Sequence, residues 1–171
     1  MNIRIQLSLY VPQSVSAPLE AVRQLLDPIQ ADLIPAHVTL CREDELTTLG
    51  PTALQSRLAA AEATPITLCF GRPEPFHEHG VLLPCIAGEA EFQALRRWVL
   101  GREMVRYQAP HITLAHPRNP KSPNNNASNA GMLPSKLTIT FASARLIQQE
   151  GSWPWQVLEQ YVLFGADRSD A

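Results

Sequence analysis

The chain is short of basic charge, of cysteine and of long apolar runs. Lys and Arg number 14 against 16 Asp and Glu, a formal net charge of −2. That argues against a long nucleic-acid track, which needs a basic surface to displace counterions. A small nucleotide or an RNA end stays open, because a pocket needs only a few donors. Three cysteines, Cys41, Cys69 and Cys85, form no CxxC pair. They read as reduced thiols, and no metal-ligand spacing accompanies them. The opening stretch MNIRIQLSLYVP is broken by Gln6 and Ser8. It is too short and too alternating for a signal peptide or a membrane span. The expected location is the cytoplasm, with no membrane partner and with a monomer as the expected state.

What is present suits a packed domain. The 171 residues, 45% of them hydrophobic, are enough to bury a real core. Residues 1–166 read as one domain and 167–171 as a polar tail. Ile3, Ile5, Leu7, Leu9 and Val11 alternate with polar residues, the pattern of a strand with one core face. Leu19, Val22, Leu25, Leu26 and Ile29 then recur at helical spacing, with Ser16 as a candidate cap and Pro28 as a stop or kink. A β-like run HVTLCR follows, then a helix over Thr52–Ala63, a strand over Pro65–Phe70 and a Pro- and Gly-punctuated turn. The run GVLLPCIAG is a strand whose Pro84 predicts an edge or a bulge. A helix closed by Gly101 comes next, then a strand at HITLAH. Residues 117–135, rich in Pro, Asn and Ser, read as a mobile loop. KLTITFASARLIQQ and WPWQVLEQYVLFG read as two strands turning near Gly151. Interleaved strands and helices of this kind predict an α+β fold with helices outside mostly antiparallel sheets.

Two strings stand out, AHVTLCR at Ala36–Arg42 and PHITLAH at Pro110–His116, with their histidines 74 residues apart in a chain of five histidines. On a strand, positions i and i+2 share a face. His37 therefore points with Thr39, and His111 with Thr113, while Val38, Leu40, Ile112 and Leu114 point to the core. Each string offers an imidazole beside a hydroxyl. Histidine titrates near ~6.5, so one imidazole can take a proton while the other gives one. Threonine hydroxyls can donate to phosphate oxygens as charge builds. That is the equipment of metal-independent phosphodiester chemistry; a carbonyl hydrolase would usually add a Ser or Cys nucleophile. Cys41 shares the His37 face by alternation, but a Cys–His site would leave the second string unexplained. His77 and His79 lack a second cluster and read as an exposed turn. Tyr10, at the end of the polar face of the first strand, is a candidate for stacking on a base.

The paired H-x-T-hydrophobic strings, together with the order of elements over residues 2–164, resemble the two-histidine (2H) phosphoesterase superfamily, which includes 2'-5' RNA ligase-like proteins and 2',3'-cyclic nucleotide phosphodiesterases. The resemblance implies a two-lobed fold with pseudo-twofold symmetry and a central cleft. It implies opening of a 2',3'-cyclic phosphate to a 2'-phosphate, with no cofactor and no metal, on a small nucleotide or an RNA end. It makes His37 and His111 catalytic and Thr39 and Thr113 substrate-binding. In those terms His111 activates water and His37 protonates the departing 3' oxygen. Ligase-like members often carry Arg five residues after the second histidine. Here that place holds His116, and Arg42 stands at the matching place after the first. Both are candidates to reach a phosphate, although alternation points them off the His/Thr face. A non-catalytic nucleotide-binding module and an RNA-end ligating or processing enzyme are the alternative readings.

Overall fold

The computed structural model describes residues 2–60 and 62–163. The polar tail expected at 167–171 lies outside the described residues. The chain opens with β1 (Ile3–Tyr10), α1 (Gln13–Leu26), α2 (Pro28–Leu33) and β2 (His37–Cys41). Two helices follow, α3 (Glu43–Leu46) and α4 (Pro51–Leu58). The middle of the chain is β3 (Ile66–Phe70), β4 (Glu74–Phe76), β5 (Gly80–Ala87), α5 (Glu89–Leu100) and β6 (His111–Ala115). The last part is α6 (Ala127–Ala130), β7 (Leu137–Phe141), β8 (Ser143–Glu150) and β9 (Gln156–Val162).

The fold is α+β, with two antiparallel sheets. One has the order β2-β1-β8-β9. The other has the order β4-β5-β3-β7, and β6 also pairs with β5. A residue on β5 has only two edges. Val81 and Leu82 pair with both β4 and β6, so β6 occupies one edge while β4 and then β3 occupy the other. The sheets therefore repeat one arrangement. A short histidine strand, β2 or β6, lies antiparallel on a longer strand, β1 or β5.

One buried cluster joins the sheets and helices. Leu7, Leu9, Val38 and Leu40 enter it from the first sheet, Leu68, Phe70, Ile112 and Leu114 from the second, and Leu19, Val22, Phe92 and Leu95 from α1 and α5. Packing two apolar sheet faces against amphipathic helices is what fixes which face of each histidine strand stays open. No helix among the described residues is long and apolar enough to cross a membrane.

Several elements depart from the sequence reading. KLTITFASARLIQQ is two strands in different sheets, β7 and β8, parted at Ala142, whose carbonyl accepts from Leu163 N–H at 2.8 Å. No Gly or Pro marks that break. Ser16 lies inside α1, which begins at Gln13 after Pro12, and its hydroxyl donates to Gln13 O. The helix expected over Thr52–Ala63 is α4, ending at Leu58. Pro84, expected at an edge or a bulge, sits on an interior strand opposite His111, and the bulge is there: the pairing with β3 leaves Ile86 of β5 extra, two residues on. Residues 117–135 contain α6, capped by the Asn126 side chain. That stretch is tied to the body by Ser122 to Leu25 O at 3.0 Å and Asn125 to His79 O at 3.0 Å, and it buries Ala130 and Leu133.

Candidate active site

His37 and Thr39 on β2 and His111 and Thr113 on β6 are half-buried and line one cleft of about 950 Å³. The two strings are built alike at the level of single bonds. The residue before each histidine pairs with the neighbouring strand: Val11 N–H donates to Ala36 O at 2.9 Å, and Cys85 N–H donates to Pro110 O at 3.1 Å. The histidine then turns its own ring back on the chain. His37 Nδ1 lies 2.8 Å from Pro35 O and His111 Nδ1 lies 2.9 Å from Ala109 O. A carbonyl can only accept, so each Nδ1 carries the proton and each Nε2 is the unprotonated nitrogen of the neutral ring.

Both strands also carry a bulge at the same place. Leu7 pairs with Cys41 but Ser8 with Thr39, which leaves Leu40 extra. Val81 pairs with Ala115 but Leu82 with Thr113, which leaves Leu114 extra. An extra residue resets the in–out alternation. Leu40 and Cys41 are then both in the core, as are Leu114 and Ala115. The next residues, Arg42 and His116, return to the cleft wall. Alternation alone had pointed these two away, and the bulges overturn that expectation. They also remove Cys41 from the His37 face: it is fully buried, and burial pushes its thiol up to about 12.

Two arginines hold the strings in place, and the sequence reading passed over both. Arg23 of α1 and Arg96 of α5 are almost fully buried. Arg23 Nε donates to Thr113 O at 3.2 Å, its Nη2 donates to Ile34 O at 2.7 Å just before β2, and its Nη1 meets Glu20 at 2.6 Å. Arg96 donates to Leu40 O on β2, meets Glu45 at 2.6 Å and donates to Arg106 O at 2.9 Å. Gln108 adds a bond from its Nε2 to Thr39 O at 2.6 Å. Arg23 of α1 thus braces β6 and the approach to β2, and Arg96 of α5 braces β2. A signal was present in the sequence. Both arginines interrupt an apolar helical stripe, Leu19-Val22-Arg23-Leu26 and Phe92-Leu95-Arg96-Val99. A charge in such a stripe has to be paired.

The two imidazoles do not have the same surroundings. Burial pushes His37 down to about 4; the charges of Arg23 and His111 act the same way, and the bond to Pro35 works against them. Part of its surface stays accessible through the cleft, but its other sides are enclosed by protein. Tyr10 stands beside it with ring centroids 6.1 Å apart, and Phe76 stands beside His111 at 6.4 Å. Tyr10, the candidate for stacking on a base, is buried. Its ring packs with Ile34, Ile147 and Trp155 under the Arg145 guanidinium, which lies 4.6 Å from the ring centroid, and it does not line the cleft. His77 does reach the cleft rim, while His79 Nε2 is bonded to Asn119 O at 2.7 Å. Among the described residues no three His, Cys, Asp or Glu side chains gather in a way that could hold a metal ion.

No family model matches the chain, and no curated protein matches it. Solved structures do. TT0787 of Thermus thermophilus superposes with a TM-score of 0.58 at 21% identity, covering 95% of this chain and 99% of that one. E. coli LigT complexed with NADP+ gives 0.59 at 16% identity, covering 94% and 96%. A protein described as a phosphoesterase gives 0.51 at 13% identity, covering 95% and 99%. Across nearly its whole length, this chain has the fold of LigT, TT0787 and that phosphoesterase.

Proposed function

We propose that the protein is a phosphoesterase of the two-histidine superfamily that opens 2',3'-cyclic phosphates of nucleotides or RNA ends to 2'-phosphates, by acid–base catalysis without a metal. The observation that carries the reading is the matched tautomer. Two imidazoles in one cleft each spend Nδ1–H on a backbone carbonyl two residues back. Nothing in packing alone requires both histidines to do this. It leaves two Nε2 atoms, which is what an in-line displacement at phosphorus needs. Water attacks phosphorus as one Nε2 takes its proton, and the bond from phosphorus to the 3' oxygen breaks as the other imidazolium protonates that oxygen. Thr39 and Thr113 donate to the non-bridging oxygens. A fold shared with a phosphoesterase and with LigT supports the same reading.

His37 suits the base. With a pKa near 4 it is neutral in the free protein at pH 7 and ready to accept a proton. This reverses the roles suggested by resemblance, and it makes His111 the acid. The test is a panel of nucleoside 2',3'-cyclic phosphates assayed in chelator. Wild type should turn over at least one of them to the 2'-phosphate. His37→Ala and His111→Ala should each lose on the order of 10²–10⁴ in kcat, the usual worth of a general acid or base. A wild type that binds these nucleotides without turnover would make the protein a binding module instead.

A further inference from the structure

We propose that the end of the cleft where Arg4, His116 and Arg118 converge is a second anion subsite, built to hold a phosphate other than the reacting one. The inference rests on the phosphoesterase reading, and it narrows the substrate class to cyclic phosphates that carry at least one additional phosphate.

The three groups line the same cleft as the histidine strings. Arg4 is set before any ligand arrives. Its guanidinium lies over the indole of Trp155, 5.2 Å from the ring centroid. One amino group donates to Gln149 Oε1 at 3.2 Å, and the nearly buried Gln149 is itself tied to Trp153 O at 3.0 Å. An arginine with one face on an aromatic ring and one N–H tethered keeps the rest of its in-plane donors for a ligand. That edge matches a phosphate.

His116 is set as a donor. Its Nδ1 accepts from Arg118 N–H at 3.1 Å, so in the neutral ring the proton sits on Nε2. This is the opposite tautomer from His37 and His111, and it suits binding rather than proton abstraction. Arg118 is exposed on the same wall.

Neither Arg4 nor Arg118 is paired with a carboxylate among the described residues. The ion pairs among the described residues are Arg23–Glu20, Arg96–Glu45 and Arg106–Asp44. The carboxylate beside His116 is Asp27, and its oxygens are taken by the backbone N–H of His116 at 2.8 Å, by Gln30 N–H at 3.0 Å and by the Asn119 amide. Glu43 and Asp44 stand on the α3 side of the cleft, where Arg42 is, and Asp44 is engaged by Arg106. His116 is held towards its neutral form, chiefly by burial. Its pKa is lowered by burial and then by Arg118, with a further push from Arg4, against the pull of Asp27. Two guanidiniums without a carboxylate partner and an imidazole N–H on one wall suit an anion.

The spacing separates this anion from the reacting phosphate. Ser8 lies opposite Thr39 in the β1–β2 pairing. Arg4 is four residues further along β1, or about 13 Å at ~3.3 Å per residue. With the Arg4 guanidinium held on Trp155, the second position is assigned to another phosphate of the same nucleotide or of its neighbour, not to the one held by Thr39 and Thr113. The source is either a 5'-phosphate on a mononucleotide or an internal phosphodiester of an oligonucleotide.

The experiment compares three substrates: adenosine 2',3'-cyclic phosphate, the same compound with a 5'-phosphate, and a dinucleotide ending in a 2',3'-cyclic phosphate. Wild type should favour one or both of the last two by at least about tenfold in kcat/KM, chiefly through KM, and which of them it favours identifies the source. Arg4→Gln and Arg118→Gln should bring that ratio towards one, and their thermal midpoints check that the fold is kept. A wild-type ratio near one, or a ratio that survives both substitutions, overturns the subsite. If wild type turns over none of the three, the phosphoesterase reading fails on its own. Calorimetry then decides the subsite with adenosine 3'-phosphate and adenosine 3',5'-bisphosphate. Tighter binding of the bisphosphate by about tenfold, lost in Arg4→Gln, upholds it, and equal affinities overturn it.

Discussion

His37 shows how one side chain would link stability to the proposed catalysis. In the unfolded chain it titrates at 6.5, and in the fold at about 4. Above pH 6.5 both states are neutral and the group contributes no pH dependence. As pH falls from 6.5 to 4 the unfolded chain takes up the proton first, so stability falls across that window. His37→Gln removes this linkage. Its thermal midpoint should drop less than that of wild type between pH 6.5 and 4, and a midpoint that falls just as steeply would mean that His37 is not held neutral. The same shift fixes a kinetic sign. If neutral His37 is the base, kcat/KM holds from pH 7 down to about 5 and falls near 4. If His37 were the acid in its protonated form, kcat/KM would instead already be falling as pH rises above 4.

Helices α1 and α5 depend on a different kind of residue. Arg96 is fully buried against Glu45, so truncating it strands a carboxylate whose side chain is only 10% exposed. Arg96→Met should cost about 3–5 kcal/mol in urea unfolding, the usual result of breaking a buried pair on one side. Adding Glu45→Gln should recover part of that loss, since it removes the stranded charge. A double variant as unstable as the sum of the singles would place the damage in packing instead. These arginines also show where sequence reading stopped. Histidine and threonine at i and i+2 on a β-like run are visible because strand period is local. The reciprocal bonds from Arg23 to Thr113 O and from Arg96 to Leu40 O join residues 90 and 56 apart, and no local pattern encodes such a pairing. The bulges at Leu40 and Leu114 were hidden for a related reason. A bulge is a property of two paired strands, and HVTLCR and HITLAH taken singly contain no Gly or Pro to betray it. The split at Ala142 was hidden because both halves of that run are good strand formers, and only sheet membership separates them.

For the whole molecule, the question is how a chain of net charge −2 would draw in the phosphate-bearing substrate proposed above. The described structure answers with placement rather than amount. Arg4, Arg42 and Arg118 sit on the cleft wall without a carboxylate within ion-pair distance among the described residues, while other arginines are spent on Glu20, Glu45 and Asp44. A field made by a few charges in a cleft is short-ranged, because screening sets in over about 8 Å at physiological ionic strength. Capture should therefore be sensitive to salt but only weakly so. For a substrate with two phosphates, log kcat/KM plotted against log salt should fall with a slope no steeper than about −1.4, given ~0.7 of a counterion released per phosphate neutralised on a single strand. The value of kcat should stay level, since the cleft is already occupied at saturation. Lengthening the RNA beyond a few nucleotides should leave the slope where it is, because the added phosphates would find no further row of cations to neutralise. A slope that steepens with each added nucleotide would mean a basic track outside the cleft, and would enlarge the substrate from an RNA end to an RNA strand.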